Sequence, residues 1–173
     1  YGNVFASRGS VIPLFHEQIS SGGPVTITVP EMTRFLLTLD QAVDTVCSAI
    51  NDAKPGEIFV PRAPASSVIN LAKALIGKKD IEIKITGIRP GEKLHEIMIS
   101  DEEAPYAREC GDYYAISSML PELHSFEENN FPNAVKGQYS SENSVVSYEE
   151  TIKLLKNNSL MFEDVDDSSA NEE

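Results

Sequence analysis

Residues 81–86, IEIKIT, alternate apolar and polar without a break and then run straight into Gly87-Ile-Arg-Pro-Gly91. A period of two is the signature of a strand that buries one face, and the Pro-Gly pair after it forces a turn. A strand of that kind must find both a partner edge and a covering layer. The rest of the chain offers candidates for each. Pro13 suits the first turn of a short helix through LFHEQIS, which Gly22-Gly23 ends. VTITV (25–29) and RFLLT (34–38) read as extended. Asp40 is the expected N-cap of DQAVDTVCSAIND, with Ala42, Val43, Val46, Cys47 and Ile50 as one apolar stripe facing the core. EIFVP (57–61) follows the Pro55-Gly56 turn as a short strand, and Ser66 or Ser67 caps a helix through VINLAKALIG that Gly77 stops. The order helix, strand, strand, helix, strand, helix, strand predicts a small α/β layer.

Beyond the Arg-Pro-Gly turn the pattern is weaker. Lys93–Ile99 reads as a helix, residues 101–112 as a polar loop with one helical turn, and DYYAIS as a further strand. Residues 121–147 show no period and read as an extended excursion; YEETIKLLKNN is a last amphipathic helix contacting through Ile152, Leu154 and Leu155. The end, EDVDDSSANEE, has six acids and no base, the composition of a solvated, disordered tail. The expected organisation is an α/β unit over 1–120, the excursion and helix over 121–162, and the tail over 163–173.

Charge narrows the partners. With 14 Lys and Arg against 27 Asp and Glu, the net charge is −13, which opposes nucleic acid and anionic membrane surfaces. A pocket holding one or two arginines can still take a small anion. Two cysteines make no disulfide framework; Cys47, placed among Val43, Val46 and Ile50, is expected to be a buried thiol, consistent with a reducing, cytoplasmic setting. No signal-peptide pattern or bilayer-long apolar run is present in the sequence.

Two stretches carry chemistry. In GIRPGEKLHE, Arg89 and Glu92 stand where a strand ends, the place at which α/β sheets bind ligands. A guanidinium suits a diphosphate and a carboxylate suits paired ribose hydroxyls. Read from spacing alone, the same residues also describe a surface loop with an Arg–Glu ion pair. In the opening YGNVFASRGSVIPLF, Asn3, Ser7, Arg8 and Ser10 alternate with Gly2 and Gly9, which permit close backbone approach to a ligand. His16, His95 and His124 lack metal-ligand spacing and read as surface or capping residues, His95 on a helix surface; Glu102-Glu103 reads as a solvated acidic pair.

Taken in order, YGNVFASRGSVIPLF, EMTRFLLTLDQAV and GIRPGEKLHEIMIS closely resemble the C-terminal part of bacterial nucleotide-sugar dehydratases and epimerases of the extended short-chain dehydrogenase/reductase superfamily. The resemblance spans about residues 1–158 and is nearest to inverting 4,6-dehydratases of UDP-N-acetylglucosamine and to capsular 4-epimerases. It implies the substrate-binding portion of a Rossmann-type enzyme of surface-polysaccharide synthesis, with the Rossmann core missing. It also implies UDP-N-acetylglucosamine or a related UDP-sugar as ligand, NAD or NADP in the parent enzyme, and a homo-oligomer. Asn3 would contact the sugar nucleotide, and Val4, Phe5, Ala6, Ser7 and Arg8 would line the nicotinamide end of the cofactor. Val11 and Thr28 would touch the nucleotide, Arg89 the diphosphate or uridine, Glu92 the ribose, with Arg34 a second phosphate partner. Val29-Pro30 departs from the more polar pattern expected after Thr28.

The dinucleotide loop and the catalytic Tyr-x-x-x-Lys of that superfamily are not found here. Four residues after each tyrosine stand Phe5, Cys110, Ser117, Ser118, Asn143 and Ile152, never lysine. The chain alone is therefore expected to bind without turning over, and no catalytic residue is assigned to it. A binding or assembly module without catalysis is the reading from another class.

Overall fold

The computed structural model describes residues 2, 4, 7, 9–118, 120, 122 and 134–162. The tail expected over 163–173 lies outside these residues, as do Asn3, Phe5, Ala6, Arg8 and His124. The architecture is mixed α/β, assembled from several small sheets and four α-helices among the described residues.

Helix α1 (Val11–Ser20) leads into β1 (Val25–Ile27), and β2 (Thr33–Phe35) follows. Strand β1 pairs in parallel with β5 (Ile83–Ile85), Val25 opposite Ile83 and Ile27 opposite Ile85. Helix α3 (Val68–Ile76) packs against α1, β1 and α4 (Tyr148–Asn157). Together they enclose the main core, in which Ile12, Phe15, Val25, Ile27, Leu71, Leu75 and Leu155 are buried. Each such side chain removed from water contributes roughly 1.5–3 kcal/mol. Ile81 and Ile83 pack on this core as expected, but Ile85, although paired with Ile27, is exposed.

A three-stranded antiparallel sheet runs β3 (Ile58–Pro61), β8 (Tyr113–Ile116), β7 (Ala107–Cys110). The loop read into residues 101–112 holds a 3-10 turn at Ala104–Tyr106, but its last part is strand β7. Glu103 Oε2 accepts from Ser100 N at 2.9 Å and braces the chain just ahead of that turn, so the acidic pair is partly a local structural device. Arg108 reaches back to Glu57 with Nη2–Oε1 at 2.7 Å, tying β7 to the turn ahead of β3. Strand β4 (Ala65–Ser67), not foreseen, pairs antiparallel with β2.

Three local expectations are corrected. Helix α2 (Leu39–Asp52) is capped by Thr38, not Asp40: Thr38 Oγ1 accepts from Gln41 N, and Gln41 Oε1 accepts from Thr38 N. This is a reciprocal capping box, and it satisfies two backbone donors where Asp40 would satisfy one. The stripe of α2 does not face the core: only Ala42 and Thr45 are buried, and Cys47 is exposed. Finally, Lys93–Ile99 is not a helix. Ile97–Ile99 is strand β6, paired with β9 (Tyr139–Ser140).

The reason for the last correction is tertiary. Thr33 N bonds to Leu94 O, Glu96 Oε2 accepts from Phe35 N, and Ser141 Oγ accepts from Glu96 N. These partners satisfy the segment's backbone and side chains better than one isolated helical turn could. Tyr139 then closes β9 onto the loop before β4, accepting from Ala63 N at 2.9 Å and donating to Ala63 O at 3.0 Å.

Candidate nucleotide-sugar site

The parallel strands β1 and β5 end side by side. Thr86 N donates to Ile27 O at 2.8 Å and Gly87 N to Thr28 O at 3.0 Å, so both C-terminal ends open at one place. Gly87 and Gly91 have φ of 83°, a conformation that admits glycine readily and lets the Arg-Pro-Gly segment fold back over the strand end. The turn is closed from inside. Arg89 N donates to Glu92 Oε2 at 3.2 Å, and Thr28 Oγ1 donates to Glu92 Oε1 at 3.2 Å.

These ends form one side of a cavity of about 470 Å³. The start of α1 forms another, with Ser10 and Val11, and β2 supplies Arg34. Of the sequence candidates, the cavity brings together Val4, Ser7, Val11, Thr28, Arg34, Arg89 and Glu92. They are separated by up to 88 positions along the chain, and only the tertiary fold collects them.

Their states differ. Arg89 is exposed at the cavity's rim. Glu92 holds two donors, and a carboxylate has about four lone-pair sites, so capacity remains for a vicinal diol. Arg34 is committed. Nη1 donates to Thr33 O at 2.7 Å and Leu94 O at 3.2 Å, and Nη2 to Lys93 O at 2.9 Å, while Nε lies 3.9 Å from Glu96. A phosphate contact by Arg34 would have to displace one of these; one by Arg89 would not.

Sequence reasoning noted Ser10 in the polar opening without giving it a role, and it passed over Thr26. Ser10, the N-cap of α1, caps nothing with its side chain, and its Oγ is buried without a hydrogen-bond partner among the described residues. A buried hydroxyl left so costs roughly 1–3 kcal/mol, which a polar ligand in the cavity would relieve. Thr26 lines the cavity and is held by Gln18, which donates to Thr26 Oγ1 at 2.7 Å and accepts from Thr26 N at 2.9 Å. His95 is not on a helix surface. Its Nδ1 meets Thr33 Oγ1 at 2.8 Å and its Nε2 lies 3.8 Å from Glu142, so it braces the back of the Arg34 segment.

Of the residues expected at the nicotinamide end of a cofactor, Phe5, Ala6 and Arg8 lie outside the described residues. Val4 and Ser7 border the cavity, but Val4 is engaged in a parallel bridge with Leu37. Gly9, at φ of 78°, has nothing within 4 Å of where a Cβ would stand among the described residues. No group of three or more metal-ligating side chains occurs among the described residues. No helix among them is long and apolar enough to cross a membrane.

Comparison with known proteins agrees with this architecture. The crystal structure of Pen from Bacillus thuringiensis superposes with a TM-score of 0.80 at 36% identity, covering 93% of this chain and 49% of that one. The UDP-glucose 4-epimerases of Rickettsia canadensis and Rickettsia akari are 43% and 44% identical, each over 90% of this chain and 47% of its own length. The chain thus spans about half the length of the curated relatives it matches. Residues 1–118 match the family described as Polysaccharide biosynthesis protein, and the chain belongs to that family.

Proposed function

We propose that this chain is the UDP-sugar-binding half of a nucleotide-sugar epimerase or dehydratase. The observation that carries the reading is the cavity at the ends of β1 and β5, where one exposed arginine, one carboxylate with free acceptor capacity and an unpartnered buried hydroxyl converge. Arg89 supplies charge-assisted donors to a diphosphate. Glu92, held by Thr28 and by the Arg89 backbone, accepts from ribose hydroxyls. Val11 and Thr28 lie against the nucleotide, and Ser10 gives its hydroxyl to a phosphate or sugar oxygen. Arg34 fixes the segment after the turn and reaches phosphate only by giving up a backbone carbonyl.

Relatives carrying the name UDP-glucose 4-epimerase favour 4-epimerisation ahead of the 4,6-dehydration that the sequence resemblance placed first. In either case NAD(P) in the whole enzyme would take and return the hydride. This chain's own residues contribute binding and orientation of the UDP-sugar, within residues 1–120, in a cytoplasmic enzyme that acts as a homo-oligomer.

Calorimetric titration with UDP tests the site. Arg89→Ala should weaken binding tenfold to a hundredfold, the equivalent of about 1.5–3 kcal/mol for a charge-assisted contact. Glu92→Gln should cost less, since an amide oxygen still accepts one ribose hydrogen bond. Equal affinity in all three folded proteins would show that the assignment is wrong.

A further inference from the structure

Thr33 and Ser141 are buried, yet their hydroxyls stand between a histidine and the carbonyl that anchors Arg34. His95 Nδ1 lies 2.8 Å from Thr33 Oγ1, which lies 2.7 Å from Ser141 Oγ, which in turn lies 3.3 Å from Thr33 O. Thr33 O is the same carbonyl that accepts from Arg34 Nη1 at 2.7 Å. Two backbone groups fix the polarity of this chain of hydroxyls. Glu96 N can only donate, so Ser141 Oγ accepts from it at 2.9 Å, and Thr33 O can only accept. Each hydroxyl has one proton and two acceptors within reach, so two complete arrangements exist.

The charge on His95 selects between them. Glu142, on the 3-10 turn Glu142–Ser144, faces Nε2 at 3.8 Å and favours a proton there. In the neutral ring Nδ1 is then bare. Thr33 donates to it, Ser141 donates to Thr33 Oγ1, and Thr33 O is left to Arg34. In the charged ring Nδ1–H donates to Thr33, so Thr33 must donate to Ser141 and Ser141 to Thr33 O. That carbonyl now serves two donors. The other charged groups on the segments around the ring are Arg34 from β2, and Lys93 and Glu96 on its own segment. Glu96 is already engaged, accepting from Phe35 N and lying 3.9 Å from Arg34. Positive charge on His95 therefore weakens the hold of Thr33 O on Arg34 in two ways, by competition for the carbonyl and by repulsion between cations.

We propose that His95 is a positioning residue for ligand phosphate: acting through Thr33 and Ser141, its charged form releases Arg34 from Thr33 O toward the cavity that Arg34 lines. The inference rests on the UDP-sugar reading and deepens it, because it names what makes Arg34 give up a carbonyl. With His95 neutral, Arg34 is a structural clamp and Arg89 meets the diphosphate; with His95 charged, both guanidiniums do.

The test follows UDP-glucose affinity by calorimetry from about pH 8 down to about pH 6, the range in which an imidazole charges. Both phosphates of UDP-glucose are esterified and keep their charge across that range, which the terminal phosphate of UDP does not. Affinity should rise about fivefold on acidification. His95→Asn should remove the rise. Thr33→Val, which breaks the hydroxyl chain and leaves His95 free to titrate, should remove it too, and Thr33→Ser should restore it. Arg89→Ala should weaken binding at both ends of the range and keep the rise. In the ligand-free protein, nitrogen-15 NMR reads Arg34 directly: proton exchange at its guanidinium should quicken as His95 charges, but not in His95→Asn or Thr33→Val. A pH-independent affinity in the unmodified chain would overturn the proposal. So would a rise that survives Thr33→Val, since charge on His95 would then act through space alone. Absence of UDP-glucose binding throughout would count against the UDP-sugar reading instead, and the Arg34 exchange measurement would still decide the relay.

Discussion

Replacing Arg34 with alanine should loosen the far side of the Arg-Pro-Gly turn before it affects any ligand. The guanidinium bonds to Thr33 O, Leu94 O and Lys93 O and lies 3.9 Å from Glu96, with both charged side chains only 16% and 17% exposed. Hydrogen bonds from a charged donor contribute about 1.5–3 kcal/mol each in favourable cases, but three on one group are not additive. Lys93 and Leu94 are exposed, so water can take over part of what their carbonyls lose. Glu96 keeps its bond from Phe35 N. The net loss is therefore about 2–4 kcal/mol, below the sum of the parts and near the lower range for breaking a largely buried pair. In a domain of this size that lowers Tm by roughly 5–15 °C. Arg34→Lys should recover only part, because one ammonium cannot span the carbonyls of Thr33, Lys93 and Leu94 as the guanidinium does. The assay is a thermal melt by circular dichroism, with hydrogen exchange at residues 93–97 and UDP titration of the folded variant. An unchanged Tm and exchange pattern with UDP binding abolished would refute this reasoning, and would make Arg34 a ligand contact alone.

Two further outcomes are expected. Ser10→Ala removes a buried hydroxyl that has no partner among the described residues, so it should leave stability unchanged or raise it by up to about 1 kcal/mol while weakening UDP binding; thermal melts and titration read the two effects separately. Tyr139→Phe should cost about 1–3 kcal/mol, because the buried Ala63 N–H and C=O lose their partner. Burial pushes the Tyr139 hydroxyl above its ordinary value of 10.0, partly opposed by the Ala63 bond. Stability from this group is thus complete below pH 10 and falls as pH rises through the raised value, and urea melts across that range should show a shallower decline for the Phe variant.

The elements that announced themselves were those with local causes. Ser67 before VINLAKALI and Gly77 after it are a cap and a stop within one turn of the helix they bound, and α3 lies between them. Alternation in IEIKIT and the apolar spacing of YEETIKLLKNN are equally local, and both elements formed. Even the Thr38 cap was present in the letters, as Thr-x-x-Gln; preferring the acid two residues on overlooked the reciprocal bond.

The site divides in the same way. Chain order and residue type singled out Arg89 and Glu92, because a strand followed by Arg-Pro-Gly-Glu places a cation and an anion at a strand end. That Glu92 leans on Thr28 while Arg34 turns to the carbonyls of Lys93 and Leu94 depends on which distant segments meet, and adjacency in sequence carries no trace of that. Helix period declared that Val43, Val46 and Ile50 share a face; it could not declare what covers it, since burial is a relation between elements. Lys93–Ile99 is the sharpest case. Its local propensity allowed a helix, and the partners Phe35 N, Ser141 and Tyr139, between about forty and sixty residues away, made it a tether and a strand instead. Periodicity and capping, being properties of neighbours along the chain, are fixed by sequence; pairing, burial and the convergence of a pocket are fixed only when the layers close.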